Sequence, residues 1–153
     1  MKTAFWVCGK TKQKFIAEGI SFYLQRIRPF AEISYQELEV KKAQTKEEII
    51  RAEADMILKN LKTGDYIVLL DEKGEMLSSV DFASSLSGLF SKTSGRLVFI
   101  GGGPYGFSES IYSKANYLLS LSKMTLTHEL VRIFFLEQLY RAFTILKNHP
   151  YHH

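Results

Sequence analysis

Cysteine is almost missing from this chain: Cys8 is the single one among 153 residues. With no intrachain partner it makes no disulfide, and such sparing use of thiols points to a reducing compartment, so the cytoplasm is the expected location. Proline is scarce at three residues and glycine moderate at ten, and no internal repeat, low-complexity run or interdomain linker appears. Long hydrophobic runs are also missing. The longest, such as residues 67–70 and 133–136, fall far below the roughly 18 residues of a spanning helix, so no membrane span is expected. The opening apolar run, 4–8, ends at Gly9-Lys10, too short for the core of an export signal.

What is present suits one compact domain over 1–153: 46% hydrophobic and 24% charged residues. A chain of this length buries about 70% of its unfolded surface on folding and needs no staples. The formal net charge is +4, and the surplus is uneven. Residues 1–62 carry twelve basic and eight acidic side chains, whereas 63–153 carry eight of each. Lys10, Lys12 and Lys14 cluster there, with Arg26, Arg28, Lys41 and Lys42 following. Such a face is compatible with nucleic acid, but most such surpluses are only solvated surface.

Hydrophobic periodicity alternates strands and helices. Residues 2–8 read as a buried strand, and Phe15, Ile16, Ile20, Tyr23, Leu24 and Ile27 recur at helical spacing up to Pro29. A second strand spans about 33–40. Thr45, with Glu48 three residues on, forms a capping box for a helix to about Leu61. Residues 66–71 form an apolar strand ending in Asp71, after which Lys73-Gly74 is expected to turn the chain. Ser78 or Ser79 caps a helix to about Phe90. Strand 96–100 runs into Gly101-Gly102-Gly103-Pro104-Tyr105-Gly106, a short helix starts at Ser108, and a last strand covers 116–121. After a polar loop, 122–127, a final helix covers 128–147. This order predicts an α/β fold with a mostly parallel sheet covered by helices on both faces. The final helix is apolar on most sides, which requires a central position or a partner chain, and a symmetric homodimer is the commonest such partner.

Gly101, Gly103 and Gly106 satisfy the dinucleotide-binding spacing, but 118–128 holds no acid about twenty residues on to take a ribose hydroxyl, and Pro104 removes an amide donor. A nicotinamide site is not expected. The glycines allow either close approach of a ligand at a strand's carboxyl end or simply a tight turn. The histidines, His128, His149, His152 and His153, fit no structural zinc spacing, so no metal is expected. The tail is either solvated or ordered over a substrate, with Asn148, Pro150 and Tyr151 shaping it. Glu137 and Arg141, four apart on an apolar helix, are an isolated ion pair or part of a site. Cys8 reads as core.

Several segments then carry a specific likeness: Gly102-Gly103-Pro104-Tyr105-Gly106, the run from Ser120 to His128, then Arg132, Glu137, Tyr140-Arg141-Ala142 and Asn148-His149-Pro150-Tyr151-His152. Together they resemble the RlmH family of SPOUT-class methyltransferases, along the whole chain and most specifically in its last third. The resemblance implies an α/β fold with a deep trefoil knot, S-adenosyl-L-methionine as cofactor and a homodimer. It also implies methylation at N3 of a pseudouridine in large-subunit (23S) ribosomal RNA on the assembled ribosome. By the same likeness Leu70, Gly102 and Leu121, Ser122, Lys123, Met124, Thr125 and Leu126 would hold the cofactor. The tail, 148–153, would lie at the active site.

Removing the imide proton from N3 leaves an anion, for which Arg141 or the tail histidines are candidate stabilisers. Glu137 would orient that arginine or accept the proton, and Tyr151 and His152 would stack on or hydrogen-bond the base. Two departures from the family pattern stand out: His153 where some members carry Arg or Lys, and Gly101 where an apolar residue often precedes two glycines. The rival readings are a non-catalytic RNA-binding or ribosome-assembly protein with the same fold, and a different nucleotide-binding α/β enzyme.

Overall fold

The structure is a computed structural model that describes residues 2–153. Its elements follow the expected order: β1 (Thr3–Cys8), α1 (Lys14–Ile27), β2 (Ile33–Leu38), α2 (Lys46–Asn60), β3 (Tyr66–Met76), α3 (Ser79–Lys92), β4 (Leu97–Gly101), α4 (Glu109–Tyr112), β5 (Tyr117–Ser120) and α5 (His128–Leu146). The strands form one sheet in the order β2-β1-β4-β3-β5, every pair parallel. Parallel strands are buried on both faces, and β1 and β4 are accordingly buried throughout.

Helices α1, α3 and α5 cover one face, where the Phe135 ring centroid lies 4.7 Å from that of Phe5 and 4.8 Å from that of Phe99. Helices α2 and α4 cover the other face over Trp6, Leu69 and Ile100. α5 packs against both α1 and α3, so its Phe135, Leu136, Leu139 and Ala142 are fully buried within one chain. The central position foreseen for so apolar a helix is thus supplied by its own fold. Among the described residues no helix is long and apolar enough to cross a membrane.

Polar signals set the helix starts. Thr45 and Glu48 close the expected capping box on α2, and Ser78, Ser108 and Thr127 cap α3, α4 and α5. Gln13 makes no side-chain cap on α1; instead Glu129 of α5 accepts from the Lys12 and Gln13 amides at 2.9 and 3.0 Å. One expectation fails. Lys73-Gly74 does not end the strand, because β3 continues to Met76. Leu70 and Glu75 both pair with Leu119, so residues 71–74 bulge from the ladder and pairing resumes beyond them. Gly74 is there for close approach, since a Cβ would lie 2.5 Å from the Leu118 backbone.

Candidate active site

Three irregular stretches of backbone lie at the carboxyl-end edge of the sheet: the 71–74 bulge inside β3, the glycine loop 101–106 at the end of β4 and the segment 121–127 after β5. Between them lies an open cavity of about 380 Å³. Open α/β sheets place their ligands beyond the strand carboxyl ends in this way, and the volume is that of a small-molecule pocket. Leu70, Gly102 and every residue of 121–126 except Lys123 line it. The side chain of Met124 is 78% exposed, so it forms the lip rather than the floor.

Hydrogen bonds fix these walls. Ser120 Oγ donates to the Ser122 carbonyl at 2.9 Å, and Ser122 Oγ accepts from the Met124 amide at 3.0 Å. Thr125 Oγ1 donates to Glu72 Oε2 at 3.0 Å, tying the loop to the bulge, while the Tyr112 hydroxyl donates to Asp71. Burial and that carboxylate push the Tyr112 phenol well up, so it stays a neutral donor. His128 also lines the cavity; burial, then Arg132 and Lys12, lower its pKa and outweigh Glu129, keeping the ring neutral at pH 7. Sequence reasoning missed Glu72, Tyr112 and His128 as lining residues. The acidic pair directly after the apolar run of β3 was the available signal, hidden by the expected turn.

Glu137, Arg141, Tyr151 and His152 do come together, but not in that cavity. Arg141 donates from Nη2 and Nε to Glu137 Oε1 at 2.6 and 3.1 Å, Tyr151 donates to the same oxygen at 3.1 Å, and Gln138 fills Glu137 Oε2 at 2.8 Å. The Arg141 guanidinium lies 4.7 Å from the Tyr151 ring centroid, and its Nη1 is 3.2 Å from His152 Nδ1. Arginine only donates, so that Nδ1 accepts and the ring proton rests on Nε2. Asn148, with φ of 52°, breaks α5 in the left-handed conformation that asparagine tolerates, and turns the tail back along the helix. Tyr151 then packs on Tyr140, with centroids 4.6 Å apart, and His149 meets Phe30 at 5.8 Å. The tail is therefore ordered against its own α5. From His128 at the cavity to Arg141 the helix rises thirteen residues, about 20 Å.

A family model described as "Predicted SPOUT methyltransferase" matches residues 1–152. The chain belongs to the SPOUT methyltransferase family. Full-length SPOUT relatives agree in name. A protein of Parabacteroides distasonis called ribosomal RNA large subunit methyltransferase H is 42% identical, with 100% of this chain and 99% of that protein aligned. One of Christiangramia forsetii with the same name is 43% identical over 96% of each chain. The solved structure of a probable methylase family protein from Haemophilus influenzae Rd KW20 shares the fold, with a TM-score of 0.54 at 11% identity, covering 99% of this chain and 70% of that one.

Proposed function

We propose that this SPOUT protein transfers a methyl group from S-adenosyl-L-methionine to N3 of a pseudouridine in large-subunit ribosomal RNA, acting as a cytoplasmic homodimer on the assembled ribosome. The observation that carries the reading is the convergence of Leu70, Gly102, Leu121, Ser122, Met124, Thr125 and Leu126 on one cavity, in a chain whose full-length relatives are named as large-subunit ribosomal RNA methyltransferases. The cavity fits the cofactor: Leu70, Leu121 and Leu126 offer apolar walls, the two loops bring backbone donors and acceptors, and Asp71 and Glu72 can take hydroxyl or amino groups. The cofactor supplies an electrophilic methyl on a sulfonium.

With the imide proton released to solvent water, the chain's own residues have to position the base and carry the charge left at N3. Arg141 suits that charge, and its bond to Glu137 keeps the guanidinium firmly protonated. Both Glu137 oxygens are already occupied by Arg141, Tyr151 and Gln138, which favours an orienting role over proton acceptance. Tyr151 is pushed up to about 12 by burial and then by Glu137, so it serves as a donor or stacking surface rather than a base. His152 offers Nε2–H. These groups sit along α5 from their own cavity, and a second copy delivering its tail would join them to a cofactor; that geometry is the argument for the dimer. Phe134 and Leu130 of α5, 36% and 39% exposed, remain available for such a contact.

The test is transfer of labelled methyl from S-adenosylmethionine to ribosomes lacking native RNA methylation, followed by mapping of the label. Label on a large-subunit pseudouridine is the expected result. No label, on ribosomes that a known family member can modify, would overturn it in favour of a non-catalytic RNA-binding role.

A further inference from the structure

A second, smaller cavity sits behind the glycine loop, lined by Cys8, Glu53 and Ile111 among others, and it shares Gly102, Gly106 and Phe107 with the large one. The loop is thus a common wall: one side faces the candidate cofactor pocket and the other faces Glu53. Glu53 lies on the inward side of α2, only 6% exposed, among apolar neighbours that include Ala54 and Ile57. Its carboxyl presses on the loop backbone: a Cβ placed on Gly103 would fall 2.0 Å from Oε2 and 2.6 Å from Oε1. The Gly103 amide and the Cys8 thiol face the carboxyl, yet Oε1 has no hydrogen-bond partner, and the cavity is too tight for a water to supply one.

A buried carboxyl with an unmet oxygen is costly, and an apolar residue would pack the same spot on α2 more cheaply. The fold keeps the carboxyl, and glycine at 103 is what lets it reach the loop. We infer that Glu53 is a positioning residue, holding the 101–106 loop from behind in the shape that binds the cofactor. The inference rests on the reading of the large cavity as the S-adenosylmethionine site. Glu53 touches no substrate; it acts through Gly103.

The test is calorimetric binding of S-adenosylmethionine to the full chain, with amide hydrogen exchange read in parallel. Glu53→Ala is expected to weaken affinity by about tenfold, the scale of one lost polar contact, and to speed exchange at the 101–106 amides. Glu53→Gln, of the same shape and still an acceptor, is expected to recover most of that affinity. Ile27→Val, in the core at the far end of α1, lowers global stability and is expected to leave affinity and loop exchange as they were. Unchanged affinity and loop exchange in Glu53→Ala, while the wild type binds, would overturn the inference alone. A wild type that binds no S-adenosylmethionine would instead overturn the reading of the cavity and the inference with it.

Discussion

Arg132 is the most deeply buried cation described, 1% exposed, and its partners explain how α5 is locked to the sheet. Nη2 donates to the Cys8 carbonyl at 3.0 Å, and Nη1 to Thr11 Oγ1 at 2.7 Å, with Glu37 at 3.5 Å. Truncating it would leave the buried Cys8 carbonyl without that donor and open a void, so Arg132→Ala should cost about 2–5 kcal/mol in urea unfolding, the scale of emptying a large side chain from a core. Glu137→Ala and Arg141→Ala should behave otherwise. They sit partly exposed on the tail network, so their cost should fall on methyl transfer, by about 10²-fold or more, with S-adenosylmethionine affinity kept. Full transfer in either variant would remove that residue from the mechanism. Glu53 supplies a pH test. Burial, held back by Cys8 and Gly103, raises it from 4.5 to about 7, so the folded chain binds its proton more tightly than the unfolded one. The sign follows from linkage: the stabilisation is complete below pH 4.5 and lost as pH rises to about 7. Glu53→Gln lacks that loss. Its melting temperature relative to wild type should therefore climb between those limits and level off above, whereas a constant difference would mean that Glu53 does not titrate there.

At the scale of elements, local chemistry was legible wherever it was self-contained. The Thr45–Glu48 capping box starts α2 as its spacing foretells, and Thr45→Ala should cost about 1 kcal/mol by chemical denaturation. The extension of β3 to Met76 was not legible, because its cause is non-local. The Lys73-Gly74 pair looks like a turn, while pairing of Glu75 and Met76 with Leu119 and Ser120, 44 residues on, restarts the ladder. That error propagated to the site, since the bulge it conceals brings Asp71 and Glu72 to the cavity wall. The proposed cofactor set was read through resemblance rather than through spacing; without it, Leu121 and Leu126 would pass for core. Glu53 was invisible for a related reason, being one acid on an otherwise ordinary amphipathic helix.

For the molecule as a whole, the basic surplus of the first 62 residues acquires a place. Lys12 and Gln13 are bound through their amides to Glu129, next in sequence to the cavity-lining His128, so the exposed Lys10, Lys12 and Lys14 lie beside the site rather than on a remote face. Phosphates drawn to that cluster would bring an RNA loop to the cofactor. The tail quartet lies along α5 from the cavity, so a working site on this reading takes its cluster from one copy and its tail from another. Sedimentation at micromolar concentration should accordingly find a dimer, and a monomer would remove the route by which the quartet reaches a cofactor. Salt separates the lysines' contribution from that of the tail. Each phosphate contact to single-stranded RNA adds about 0.7 to the slope of log affinity against log salt, so replacing all three lysines by alanine should flatten ribosome binding by about 2. Because the three side chains are exposed and make no buried contact, folding should be untouched. An unchanged slope would send the RNA across another face and leave the basic cluster as solvated surface.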